Sequence, residues 1–209
     1  MSDGILFPIP DPDATVLLML NPYQLHLLEP WTPPQEALPR WQHSLDGGVR
    51  AALMCDHSLT RHLEAYWQTP VTVTLEGHQW LQGEAARQLL ADAPHPWHHF
   101  QLAGEESLLL RDAWLAAGGA NRIYAHSRLI LDGLSTGLRQ AIEQGERPLG
   151  DLFLQSEDSL SRQGLLITLA QHSLLAKRLN LPAHHPFWCR HSRLQVGSRV
   201  RADILEIFL

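Results

Sequence analysis

The chain has 209 residues, of which 44% are hydrophobic and 18% are charged, so it can bury one full hydrophobic core. Its formal net charge is −6 and it has no run rich in lysine and arginine, which argues against nucleic acid or an anionic membrane surface as a partner. No apolar run is long enough to insert into a bilayer, and the N-terminus lacks the basic start of a secretory signal. We therefore expect a cytoplasmic protein without membrane insertion, and a monomer by default.

Cysteine and histidine usage gives little support to a metal or redox site. The only cysteines, Cys55 and Cys189, favour a reducing compartment, and the sequence leaves open whether they form a single disulfide. The 13 histidines include adjacent pairs at 98–99 and 184–185, whose side chains point apart on a strand or helix. Because HExxH and CxxC motifs are also absent, we expect polar loop histidines and no metal.

The first third of the chain predicts an arm followed by short helices. Residues 1–14 are rich in proline and acidic residues, which is typical of an extended arm. Helices are expected over residues 21–28 and 35–45, although Pro39 weakens the second. Residues 49–67 predict two helices with a break, the second capped by Asp56 or Ser58.

The middle of the chain predicts strands, a helix and a hairpin. Residues 71–75 are β-branched and alternating, so they predict a strand, and residues 77–82 are expected to turn and pair back with it. A short amphipathic helix over residues 84–92 follows, and then a loop to residue 104. Residues 107–117 and 122–131 predict a hairpin around a glycine-rich turn.

The last third predicts helices and a closing hairpin. Asp132 is expected to cap a helix that ends at Gln144, and residues 156–179 are expected to be helical. Two strand-like segments flank the turn signal Gly197-Ser198 in residues 188–209. This order of adjacent antiparallel pairs without βαβ alternation predicts a single α+β domain, an antiparallel sheet covered by helices.

Two of the predicted strands each carry one charge in an otherwise apolar row. In the last strand Glu206 interrupts the row of Ala202, Ile204 and Phe208, and in the strand over residues 107–117 Arg111 interrupts a similar row. A buried charge needs a partner or a purpose, since burial of an unpaired charge costs several kcal/mol.

The two charges allow two interpretations. Arg111 and Glu206 either form a buried ion pair that satisfies only itself, or they form an anion site for a small acid that also bears a hydroxyl group. Other chemistries lack support, because the sequence contains no GxSxG elbow, no GxGxxG and no GxxxxGK[ST] loop.

Several motifs resemble the chorismate pyruvate-lyase family, and they occur in that family's order. They are Asp56-His-Ser-Leu-Thr-Arg61, Val71-Thr-Val-Thr-Leu-Glu-Gly77, Leu108-Leu-Leu-Arg-Asp-Ala-Trp-Leu115, Tyr124-Ala-His-Ser127, Arg147-Pro-Leu-Gly150, Leu160-Ser-Arg162, Trp188-Cys-Arg-His-Ser-Arg-Leu194 and Leu205-Glu-Ile-Phe-Leu209. The resemblance covers residues 50–209 and implies a catalytic domain there, preceded by an arm and short helices over residues 1–49.

The resemblance implies a fold, a reaction and a set of site residues. It implies a sheet of about six antiparallel strands, no metal or organic cofactor, and the conversion of chorismate to pyruvate and 4-hydroxybenzoate, a ubiquinone precursor. Arg111 would bind the ring carboxylate and Glu206 would meet the ring hydroxyl, while Leu59 and Leu149 would line the pocket. The alternatives are a small aromatic-acid-binding module of the same fold, as in ligand-sensing domains of transcription regulators, and a structural protein with a self-paired Arg111 and Glu206.

Overall fold

The computed structural model describes residues 24–41, 45–97, 100–154 and 160–209, which form one antiparallel sheet with helices on both faces. The strands are β1 (His26–Leu27), β2 (Thr72–Leu81), β3 (Leu108–Ala117), β4 (Ala120–Leu129), β5 (Leu160–Gln171), β6 (Pro186–Val196) and β7 (Arg199–Phe208). The helices are α1 (Pro34–Ala37), α2 (Gly47–Met54), α3 (Leu59–Trp67), α4 (Gly83–Ala91), α5 (Thr136–Gln144), α6 (Leu149–Leu154) and α7 (Ser173–Arg178), with a 3-10 turn at Leu38–Arg40.

The sheet order is β1-β5-β6-β7-β4-β3-β2. Its centre is the contact of β4 with β7, which joins the β3–β4 hairpin to the β6–β7 hairpin. The α+β class and the antiparallel sheet are therefore confirmed, and the described part of the chain has seven strands where the resemblance implied about six.

Alternation along the central strands divides the core into two faces. On one face, Leu109, Leu115 and Ile204 pack with residues of α2, α3, α5 and α6. We call this the site face. On the other face, Leu110 and Leu205 pack with α4, α7 and the segment around Trp97. Because the central strands are covered on both sides, their buried residues are nearly continuous.

Helix boundaries follow local capping signals. Residues 49–67 do form two helices, α2 and α3, and the Ser58 side chain caps α3 by accepting a hydrogen bond from the backbone N–H of Arg61. α5 ends at Gln144 as predicted, and its C-cap Gly145 adopts a left-handed conformation. Its N-cap is Ser135 rather than Asp132. In the predicted helix over 35–45, the residues up to Arg40 form α1 and the 3-10 turn, since Pro39 interrupts the helix, while residues 42–44 lie outside the described part.

Three strand assignments differ from the sequence prediction. Residues 77–82 do not turn back, because β2 continues through a β-bulge between Leu75 and Gly77. Residues 160–171 of the predicted long helix form β5, because they pair with β6, and among the described residues of that predicted helix only α7 is helical. His26–Leu27 is a strand rather than a helix, while residues 21–23 lie outside the described part.

Two other expectations concern cross-links and membranes. Cys55 and Cys189 are both buried free thiols, so no disulfide links them. In the ranges that the structure describes, no helix is long and apolar enough to cross a membrane.

Candidate functional site

A pocket lies between the site face of the sheet and the first turns of α3 and α6. The four residues that the sequence nominated all line it, namely Leu59, Arg111, Leu149 and Glu206. The other lining residues are Thr60, Val73, Leu115, Ala125, Ser127, Pro148, Gly150, Arg162 and Ile204. The space not occupied by atoms in and around the pocket, open solvent included, is about 430 Å³.

Short side chains on β4 form the floor between the two predicted charges. Arg111 of β3 pairs with Ser127 of β4, and Ala125 pairs with Glu206 of β7. Arg111 and Glu206 are thus two strands apart and offset by two residues, so their Cα atoms are separated by roughly 12 Å. The short side chains of Ala125 and Ser127 lie along the pocket floor between these two charged residues.

Arg111 has backbone partners but no carboxylate partner among the described residues. Its Nη2 donates to the carbonyl oxygens of Gly145 and Arg147, each at 3.3 Å, in the connection between α5 and α6. Its Nε is buried without a hydrogen-bond partner. Burial lowers the pKa of Arg111 to about 10, so it remains a cation at neutral pH.

Glu206 forms a buried ion pair, but with Arg190 of β6 rather than with Arg111. The Nε of Arg190 lies 2.6 Å from Glu206 Oε2, and the two residues are direct cross-strand neighbours. The Nη1 of Arg190 also donates to the carbonyl oxygens of Ala52 at 2.9 Å and Cys55 at 2.8 Å. Arg190 therefore orients Glu206 and fastens the break between α2 and α3 to the sheet.

Arg162 of β5 brings another guanidinium to the same pocket. Its Nη1 donates to the Ser192 hydroxyl on β6, while its Nε is buried without a partner. Burial and the nearby Arg190 lower the pKa of Arg162 to about 10, and the charge of Glu206 partly opposes that change. Like Arg111, it forms no ion pair with a carboxylate of the described residues.

The two helical walls of the pocket are joined by a side-chain hydrogen bond. The Ser58 hydroxyl donates to Asp151 Oδ1 at 2.9 Å, which connects the N-cap of α3 to α6. The first turn of α3 contributes Leu59 and Thr60 to the pocket. The positive end of its helix dipole therefore lies at this wall of the pocket.

Comparisons with known proteins place the chain in a family. A model of the Rv2949c-like chorismate pyruvate-lyase family matches residues 53–209. The chain belongs to this family. The family resemblance drawn from the sequence motifs is therefore confirmed, while no curated protein sequence matches the chain.

Two solved structures of low sequence identity share the fold of this lyase-family member, and a third is similar at a lower TM-score. The effector domain of PhnF from Mycobacterium smegmatis has a TM-score of 0.52 at 14% identity, over 73% of this chain and 88% of that one. Gene product SA0254 from Staphylococcus aureus has a TM-score of 0.52 at 10% identity, over the same shares. The ligand-binding domain of a GntR-family transcriptional regulator from Bordetella bronchiseptica has a TM-score of 0.46 at 15% identity, over 66% and 84%.

The far side of the sheet in this lyase-family member carries a separate buried polar network. Asp203 accepts a hydrogen bond from Arg128 at 2.6 Å and contacts His191 Nε2 at 2.6 Å, and Asp112 lies 2.7 Å from His126 Nδ1. These side chains do not line the pocket. No cluster of three or more histidine, cysteine or acidic residues suited to a metal occurs in the described ranges.

Sequence reasoning missed Arg190 and Arg162 as site residues. A regular hairpin with Val196 opposite Arg199 would set Arg190 opposite Leu205, but a bulge after Leu194 shifts the register by one and brings Arg190 to Glu206. Arg162 was hidden because its segment was predicted to be helical. The usable signal was that Arg190 and Ser192 interrupt the strand face that also carries Trp188 and Leu194 in β6.

Proposed function

We propose that this chain is a chorismate pyruvate-lyase that releases pyruvate from chorismate and leaves 4-hydroxybenzoate. The observation that carries the proposal is that Arg111 and Glu206 line one pocket from two strands, with short side chains between them. A guanidinium suits the ring carboxylate, and a carboxylate suits the hydroxyl at the opposite side of the ring. Membership of the Rv2949c-like family supports the same reaction.

The reaction needs no co-reactant. The ring carbon that bears the hydroxyl loses its hydrogen as a proton, and the C–O bond to the enolpyruvyl group breaks. The released enolate takes up a proton at its terminal carbon and becomes pyruvate, so the proton lost by the ring and the proton gained by the leaving group balance. Because the ring becomes aromatic, the step is strongly downhill, and the protein has to hold the reactive conformation, exclude water and stabilise the departing charge.

Each pocket residue has a role in this proposal. Arg111 binds the ring carboxylate, and Glu206, oriented by Arg190, accepts a hydrogen bond from the ring hydroxyl. Leu59 and Leu149 form the apolar walls. The proposal further includes a catalytic domain over residues 50–209, a cytoplasmic monomer, and 4-hydroxybenzoate as a precursor for ubiquinone.

An assay of the purified protein tests this function. With chorismate and no added metal, we expect 4-hydroxybenzoate and pyruvate in equal amounts. Arg111→Ala lowers kcat/KM on the order of 100-fold, because a charge-assisted hydrogen bond to the substrate is lost. Glu206→Gln also lowers it, whereas Glu106→Gln, in an ion-pair cluster with Arg199 and Arg201, leaves it unchanged.

The second candidate function is a binding module for a small aromatic acid. The fold shared with the effector domain of PhnF favours it. Binding of 4-hydroxybenzoate without formation of either product above the uncatalysed rate would support the module and rule out the lyase.

A further inference from the structure

The described residues that line the pocket carry more positive charge than their one carboxylate can balance. Arg111 and Arg162 line the pocket together with Glu206, and Glu206 already pairs with Arg190, which lies outside the lining. Among the described residues, the formal excess at the pocket is therefore two positive charges. Asp56 also acts on Arg162 electrostatically, but it is solvent-exposed and hydrogen-bonded to His57.

The two unpaired guanidiniums approach the pocket from opposite sides. One row across the sheet runs from Arg111 on β3 through Ser127 and Ile204 to Ser192 on β6, and Arg162 is hydrogen-bonded to Ser192. Arg111 therefore stands at one end of the row and Arg162 at the other. Glu206 is close enough to Arg162 for each charge to influence the other.

Unmatched hydrogen-bond donors accompany this charge. The Nε of Arg111 and the Nε of Arg162 are buried without a partner, and so is the Ser127 hydroxyl in the floor between them. Burial of a cation without a counter-charge is costly, and a ligand anion offsets that cost while it satisfies the free donors. Two separated cations call for two anionic groups.

We propose that the pocket binds a dicarboxylate, with Arg111 holding one carboxylate and Arg162 the other. This inference rests on the proposed function, in which the substrate carries its second carboxylate on the enolpyruvyl ether. The ether is attached to the ring carbon next to the one that bears the hydroxyl. A hydroxyl at Glu206 therefore directs the ether carboxylate to the Arg162 side of the pocket.

In this assignment Arg162 binds the carboxylate of the leaving group, which makes it a specificity-determining residue. The product 4-hydroxybenzoate has one carboxylate, so it engages Arg111 and Glu206 but leaves Arg162 unpaired. Arg162 thus strengthens binding of the substrate but not binding of the aromatic product. We expect a preference for the dicarboxylate of about 10- to 100-fold, the range of a charge-assisted hydrogen bond.

Calorimetric titration with two unreactive ligands tests the assignment. The probes are 4-hydroxybenzoate and 3-(carboxymethoxy)-4-hydroxybenzoate, which adds a second carboxylate on an ether next to the hydroxyl. We expect the wild type to bind the dicarboxylate at least 10-fold more tightly. Arg162→Gln removes this preference and changes the affinity for 4-hydroxybenzoate by less than about 3-fold, whereas Arg111→Gln weakens both ligands.

Arg193→Gln is the matched control, since Arg193 is adjacent to Ser192 on β6 but on the other face of the sheet. It should retain both affinities. An Arg162→Gln protein that keeps the preference overturns the inference. A wild-type protein that does not prefer the dicarboxylate also overturns the inference. That measurement does not depend on whether the variants fold.

The turnover assay separates this inference from the proposed function. A wild type that prefers the dicarboxylate but forms no pyruvate supports the dianion site and ends the lyase proposal. A wild type that forms both products without the preference supports the lyase and overturns the role of Arg162. In an active enzyme, Arg162→Gln should lower kcat/KM for chorismate and leave inhibition by 4-hydroxybenzoate unchanged.

Discussion

At the scale of single residues, the three guanidiniums at the site differ in their partners. Arg190 is fully buried, and its hydrogen bonds go to the Glu206 carboxylate and to two carbonyl oxygens of the α2–α3 break. Within the described part of the chain, Arg111 and Arg162 donate to neutral groups only. Under the proposals above, Arg190 is therefore a positioning residue, and Arg111 and Arg162 are the ligand-binding residues.

Removal of Arg190 alone should lower the free energy of unfolding more than removal of both members of the ion pair. Arg190→Met leaves the Glu206 carboxylate buried without its counter-charge, and we expect a loss of about 3–5 kcal/mol in the free energy of unfolding. The double variant Arg190→Met/Glu206→Leu should recover part of that loss, since neither charge remains. Urea denaturation of the single and double variants measures this coupling.

The exposed pair Arg139–Glu143 on α5 is the control for this cycle. Arg139→Met should cost no more than about 0.5 kcal/mol. Strictly additive effects of the two substitutions at Arg190 and Glu206 would contradict the expectation.

At the scale of elements, the pocket walls depend on a connection between two short helices. α3 and α6 are 9 and 6 residues long, so neither is stable by itself. The hydrogen bond from Ser58 to Asp151 makes the two helices one wall over the site. Opening of one helix should therefore open the other.

Ser58→Ala tests this connection. The substitution removes both the N-cap of α3 and the bond to Asp151, so we expect local opening of both helices to become easier by about 1–2 kcal/mol. Amide hydrogen exchange should accelerate in α3 and α6 together. Ser135→Ala is the control, because Ser135 caps α5. It should accelerate exchange in α5 and leave α3 and α6 unaffected. A Ser58→Ala protein in which exchange accelerates only in α3 would disprove the coupling.

Local spacing misleads where long-range strand pairing decides the structure, and β5 shows why. Its residues Leu165, Leu166 and Leu169 have the spacing of a helix, but the segment is a strand because β6 and β1 pair with it. The interpretation of residues 77–82 failed for a related reason, since Gly77 marks a bulge within β2 and not a turn. Long-range pairing decided both cases.

At the scale of the whole molecule, Asp203 connects the stability of the sheet to pH. Burial alone would raise its pKa, but the charges of His191 and Arg128 outweigh burial and hold the pKa below its ordinary value of 3.8. The folded state therefore binds fewer protons than the unfolded state at acid pH. Its contribution to stability is complete above about pH 4 and is lost as the pH falls through the lowered pKa.

We expect the free energy of unfolding to fall below about pH 4 in the wild type. Asp203→Asn should lower stability at pH 7, because it removes the counter-charge of Arg128, and it should make the decline below pH 4 less steep. Urea denaturation between pH 7 and pH 2.5 measures both quantities. An equally steep decline in the variant would show that other carboxylates control the acid transition.

The sequence predicted most of the fold and only part of the candidate site. Both central hairpins and the α2–α3 break have strong local signals in glycine turns, alternation and the Ser58 cap, and all three were predicted. The four nominated residues do line one pocket. Arg190 and Arg162 depend on strand register and on the position of β5, which local sequence does not encode.

The position of β7 has a consequence for how the protein is made. β7 follows the other six described strands in the chain, yet it lies between β4 and β6 and is the only link between the two halves of the sheet. During synthesis, the β4 edge of the β2–β3–β4 half therefore stays unpaired until β7 leaves the ribosome. Such an edge invites pairing with other nascent chains, so we expect the growing polypeptide to need chaperone protection during this interval.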